Sequence, residues 1–77
     1  MGRLPKQNRD QLIGRVENWR NTRELTRQQL ADAVGVHYQT IGYIERGEYA
    51  PTLALALRLA KALGCNVEDL YSLKGDK

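Results

Sequence analysis

Apolar residues recur at helical spacing in successive blocks along this chain of 77 residues, and punctuation residues separate the blocks. Leu12, Ile13, Val16, Trp19 and Arg20 make a stripe at spacings of three and four, which predicts a first helix from about Asp10 to Arg23, with Asp10 as N-cap or first-turn acid. Thr26-Arg27-Gln28-Gln29 reads as a capping box and opens a second helix, whose buried side carries Leu30, Ala31 and Val34. Gly35 stops that helix, because glycine takes a positive φ without a Cβ penalty. A third helix starts near His37, turns Ile41, Ile44 and the aliphatic part of Glu45 inward, and ends at Arg46-Gly47. Thr52 caps a fourth helix, Leu53 to Leu63, which is apolar nearly all round; Ala54, Arg58 and Lys61 mark its exposed stripe, and Gly64 closes it. Asn66 caps a fifth, Val67 to Leu73, with Glu68 and Asp69 in the dipole-favoured first turn and Leu70 and Tyr71 facing inward or toward a partner. The expected fold is all-α.

The second and third blocks belong together. Ala31 is small where two helices would cross closely, and Val36 refills the corner behind Gly35. Two short helices joined at a steep angle by a glycine turn make a helix-turn-helix, whose second helix enters the DNA major groove. The outward side of that helix fits. Gln39, Gly42, Tyr43 and Arg46 follow i, i+3, i+4, i+7 and share one face. Amide, phenol and guanidinium are groups that read base edges and phosphates, unlike the Glu/Lys mixture of a solvated helix. Tyr38, Gln39 and Thr40 occupy the first turn, the part that reaches deepest; Gln39 suits adenine, and Thr40 or a tyrosine ring suits a thymine methyl. The start of the second helix offers free N–H groups to a phosphate, assisted by Arg27 and Gln28. A solvated polar face without a partner is the competing reading.

From Val16 to Leu70 the chain resembles the lambda-repressor-like, Cro-type helix-turn-helix class, the xenobiotic-response-element (XRE) family of regulators. The resemblance rests on VENWR (16–20), LTRQQLADAVGV (25–36), TIGYIERGEYAPTL (40–53) and LALRLAKALGCNVEDLY (55–71). It implies a five-helix DNA-binding domain, usually dimeric through its C-terminal part. It also implies a partly buried salt bridge between Arg20 and Glu45, which agrees with the cost of leaving Arg20 alone on a buried stripe. The chain departs from the pattern in places. Trp19 stands where an aliphatic residue is usual, and Arg27 where glutamine is frequent. His37 replaces a hydroxyl residue that caps and binds phosphate; its imidazole can still donate to phosphate, more strongly once protonated. Gly42 lies inside a helix, reflecting either close approach of the backbone to DNA or drift at an exposed position. Glu48 stands where a basic residue is common and would repel a phosphate in front of it, which leaves the loop contact to Tyr49 and backbone N–H groups.

Composition narrows the alternatives. The length fits one domain, near the lower size for a core without staples. Phenylalanine is absent, so Leu, Ile, Val, Ala and Trp19 build the core. A net charge of +3 and a pI of about 9.3 mildly favour a polyanionic partner. The single cysteine, Cys65, excludes an intrachain disulfide and sits where a small buried apolar residue is wanted; a redox sensor or intermolecular bridge is the other reading. No apolar run approaches the ~20 residues of a membrane span, and the first ten residues lack the apolar stretch of a secretory signal. Residues 1–9, with Arg3, Lys6 and Arg9, read as a flexible basic arm for phosphate or the minor groove, or as a solubilising tail; residues 74–77 read as a frayed end. One histidine, no Cys–His pairing and no phosphate-cradling loop argue against an enzyme, a metal site or a cofactor, and no small-molecule ligand is evident.

The function expected is a sequence-specific double-stranded DNA-binding regulator, a repressor, acting as a homodimer on a near-palindromic operator in a bacterial or phage-type cytoplasm, at the nucleoid. Its expected DNA contacts are Arg27, Gln28, His37, Tyr38, Gln39, Thr40, Tyr43 and Arg46, with Arg20 and Glu45 as a structural pair. The alternatives are a protein-interaction module such as the antitoxin of a toxin–antitoxin pair, for which the chain shows no obvious extended tail, and a restriction–modification controller protein.

Overall fold

A computed structural model describes residues 12–74. In chain order they form strand β1 (Leu12–Gly14), helices α1 (Val16–Thr22), α2 (Arg27–Val34), α3 (Tyr38–Glu45), α4 (Leu53–Leu63) and α5 (Val67–Leu70), and strand β2 (Tyr71–Leu73). Asp10 and the basic arm lie outside the described residues.

The helix-turn-helix forms for the local reasons expected. At the start of α2, Thr26 Oγ1 accepts from the Gln29 N–H at 3.0 Å, and Gln29 Oε1 accepts from the Thr26 N–H at 2.8 Å. At its end Gly35 is left-handed, φ 79° and ψ 33°, and the N–H groups of Gly35 and Val36 both donate to the Ala31 carbonyl. Ala31 is fully buried, which lets α2 and α3 pack closely. Thr52 Oγ1 caps α4 by accepting from the Leu55 N–H at 3.1 Å.

Leu30, Ile41, Leu59, Leu63 and Leu70 are the largest fully buried side chains, and Val16, Val34, Ile44 and Leu55 surround them. Trp19, Leu25, Val36 and Cys65 close this core as partly buried residues. Cys65 is therefore a half-covered small apolar residue, and burial pushes its thiol pKa up. Arg23 locks α1 to α4. Its Nε donates to the Leu63 carbonyl at 2.8 Å, and its guanidinium lies 5.2 Å from the centre of the Trp19 ring.

Two expected helices are shorter than their apolar spacing implies. The first begins at Val16, not near Asp10, and Leu12 and Ile13 are exposed strand residues rather than parts of an inward stripe. The fifth ends at Leu70, because Tyr71 is extended at φ −137° and ψ 139°. One cause explains both differences. β1 and β2 pair antiparallel, with Leu12 opposite Leu73, Ile13 opposite Ser72 and Gly14 opposite Tyr71. The Arg15 N–H continues the zipper to the Leu70 carbonyl at 2.8 Å, and the Arg15 guanidinium donates to Ser72 Oγ at 3.1 Å. Gly14 is required because a Cβ there would lie 2.9 Å from the Tyr71 ring. That ring is partly buried, its hydroxyl has no partner among the described residues, and burial raises its pKa. A pairing between residues nearly sixty apart outweighs local helical spacing. The architecture remains five helices, with a small sheet joining the ends of the described chain.

The α2–α3 turn gives a direct stability test. Gly35→Ala forces an L side chain into the left-handed region at a cost of about 1–2 kcal/mol. In a domain of this size the melting temperature should fall by roughly 5–15 °C, measured by far-ultraviolet circular dichroism; an unchanged melting temperature would mean that the turn relaxes freely.

Candidate nucleic-acid interface

The pose of α3 is set by its inner flank. Ile41 and Ile44 are buried, and beside them the Glu45 side chain, only 1% exposed, accepts from two arginines. Arg20 of α1 grips it side-on, Nε to Oε2 at 2.6 Å and an Nη to Oε1 at 3.3 Å. A further Arg20 nitrogen donates to the Leu25 carbonyl at 2.8 Å. The expected Arg20–Glu45 pair is therefore present, and it fastens α1 to α3 across the loop that leads into α2. A third member, which the sequence spacing does not reveal, joins the pair: Arg27 Nε donates to Glu45 Oε1 at 2.8 Å. Arg27 stays partly exposed, and its hydrogen bond to Glu45, with the charge of that carboxylate, raises its pKa further above the physiological range. The cluster keeps one net positive charge, carried on the open side at the first residue of α2.

The outer flank of α3 is open. Tyr38 and Tyr43 are 45% and 46% exposed, Gln39 is exposed and Thr40 is half-buried. With Arg27, Gly42 and Arg46, Tyr38, Gln39 and Tyr43 line a shallow hollow of about 190 Å³. His37 caps α3 through Nδ1, which accepts from the Gln39 N–H at 3.1 Å, and its ring stacks on Tyr38 at 5.0 Å. An accepting Nδ1 places the proton on Nε2, which is left as the donor. Gln28 is less free than expected, because its amide nitrogen donates to Asp32 at 2.8 Å.

Two residues that looked anomalous in the sequence occur together. Gly42 is buried, so it is neither an exposed drift position nor a bare stretch of helix backbone. The Arg46 side chain covers it: a Cβ at 42 would come within 3.2 Å of an Arg46 Nη. The same guanidinium lies 5.2 Å from the centre of the Tyr43 ring and pairs with Glu48, Nε to Oε2 at 3.2 Å. Glu48 thus faces its own chain's arginine. Tyr43 and Arg46 are i, i+3 neighbours on the helix surface, the only signal of this cluster visible in advance.

A capped α2, a left-handed glycine corner and an α3 fastened inside and polar outside define a helix-turn-helix domain. The family model HTH_3 (Helix-turn-helix) matches residues 16–70, and the chain belongs to that family, the XRE type of helix-turn-helix regulator. It is 38% identical over 63 residues to an uncharacterized HTH-type transcriptional regulator of Methanocaldococcus jannaschii, a match covering 82% of this chain and 96% of the relative. It is 39% identical over 66 residues to the control protein C.SmaI of Serratia marcescens, covering 86% and 79%. The crystal structure of the restriction-modification controller protein C.AhdI from Aeromonas hydrophila superposes with a TM-score of 0.69 at 29% identity, over 71% of this chain and 83% of that one. These similarities make the chain a DNA-binding transcriptional regulator rather than an enzyme. No helix of the described residues is long and apolar enough to cross a membrane.

The buried carboxylate predicts an asymmetry. Glu45→Ala leaves Arg20 charged and largely buried without its partner, and should cost about 3–5 kcal/mol, a large part of a small domain's stability. Arg27→Ala leaves Glu45 still gripped by Arg20, and solvent screening at the exposed Arg27 should make its loss far smaller. Urea unfolding of both variants checks this; equal losses would contradict the assigned roles.

Proposed function

We propose that the protein is a sequence-specific transcriptional repressor, and that a homodimer inserts two copies of α3 into successive major grooves of a near-palindromic operator. The observation that carries this reading is the division of α3 into a fastened inner flank and an open outer flank of amide, hydroxyl and phenol groups. Eight residues of α-helix are roughly 12 Å long, close to the width of the major groove. In this reading Gln39, Thr40, Tyr38 and Tyr43 meet base edges, while Arg27, Gln28 and His37 meet phosphates, and Arg46 stands at the far end of the same face. A repressor follows from occupancy: a domain that covers promoter DNA blocks polymerase.

The homodimer is supported by α4. Leu53 and Leu57, one turn apart, are 71% and 51% exposed, beyond the Ala54, Arg58 and Lys61 stripe expected from the sequence. Such an apolar face on a small domain suits a twofold contact with a second copy, which would set the recognition helices ~34 Å apart. Similarity to two control proteins favours a more particular reading, in which the chain is the controller of a restriction–modification system.

In vitro selection from a random duplex library at stated salt tests the proposal. It should enrich a motif with two related half-sites; recovery of no motif would refute sequence-specific binding. On the selected site, Gln39→Ala should lose about 1–3 kcal/mol of affinity with little change on random duplex. Arg27→Ala should weaken binding to both and lower the salt slope by about one. Equal losses for Gln39→Ala on both duplexes, or an unchanged slope for Arg27→Ala, would remove those residues from their roles.

A further inference from the structure

We infer that Glu48 is a positioning residue for base reading, holding Arg46 in a preset pose on the outer face of α3. The inference rests on the DNA-binding reading above and assigns a task to three residues that reading leaves unexplained. Three contacts fix the Arg46 guanidinium. Glu48 grips it side-on, Nε to Oε2 at 3.2 Å and an Nη to Oε1 at 3.4 Å. The Tyr43 ring supports it at 5.2 Å. Gly42 leaves the space beneath it, since any β-carbon there would press at 3.2 Å on the other Nη, the one not paired with Glu48. Arginine has five N–H donors in a rigid fork, so a carboxylate that uses two leaves three. Those three can meet an acceptor pair, and the base edge with two adjacent acceptors is guanine, through O6 and N7. Arg27, the other arginine of the hollow, is held at Nε alone, by Glu45, and keeps the adaptability that phosphate contact needs.

Presetting matters because a free arginine adapts to any nearby phosphate, whereas a held one binds only where an acceptor pair stands in its path. Holding it removes the ordering cost at the right base and withholds the adaptive contact elsewhere. Glu48 therefore strengthens operator binding although its own charge repels DNA.

That opposition makes the test sharp. Glu48→Gln, at a side chain 56% exposed, should leave the fold intact. It should lower affinity for the selected operator by about five- to tenfold and raise affinity for random duplex, and repeated selection should lose the guanine preference. Gly42→Ala should raise the melting temperature, because alanine is the better helix former, yet weaken operator binding. Tighter binding of Glu48→Gln to both duplexes would show simple charge repulsion and overturn the inference. So would a Gly42→Ala variant with unchanged operator affinity. Failure of the wild-type protein to select any motif would instead strike the proposed function itself, while the Nε–H resonance of Arg46 in the free protein still tests the grip: it should shift in Glu48→Gln, and an unchanged signal would overturn the pose.

Discussion

The fold turns on one carboxylate taken out of water. Glu45 is almost wholly buried at the end of α3, and a lone charge there is untenable. Arg20, arriving from α1, bonds both of its oxygens, and Arg27, at the start of α2, adds a second bond to one of them. Such a cluster is a weak source of net stability, because desolvation offsets much of the attraction. Its value is geometric. Few arrangements of three helices satisfy two guanidinium groups and one carboxylate together, so the cluster selects the pose of α3, which hydrophobic packing alone would leave looser.

Other features support that pose from outside. The Thr26 capping box fixes where α2 begins and so where Arg27 stands. Gly35 fixes how the chain leaves α2 and turns into α3. Arg23 ties α1 to the end of α4, and the β1–β2 pairing clamps the approach to α1 against the exit of α5. The result is an α3 with its inner side committed and its outer side free, and the proposed base reading lies on that free side. The arginines beside it are not loose charges, since each is held at Nε by a carboxylate.

Much of this was legible in the sequence. Caps, glycine stops and three- and four-residue spacing located α2, α3 and α4 closely, because those signals are local. Arg20 and Glu45 were legible because an ion on an apolar stripe demands a partner. The ends of the domain were not. Leu12, Ile13 and Val16 fit helical spacing, yet they are divided between a strand and a helix by a pairing with Tyr71–Leu73 that no local pattern encodes. Arg27 and Arg46 stand at DNA-facing positions in the sequence, but spacing does not show that Glu45 reaches across from another helix or that Glu48 folds back in the loop. Gly42 looked exposed for the same reason: the side chain that covers it comes from a neighbour one turn on.

Chemical-shift mapping of the isotope-labelled protein with a selected duplex observes both flanks of α3 at once. Shifts should concentrate at Arg27, Gln28, residues 37–40, Tyr43 and Arg46, with the Nε–H signal of Arg20 unchanged as the Glu45 cluster holds. Shifts centred on α4 and the β1–β2 sheet, or loss of the Arg20 signal on binding, would contradict this division of α3.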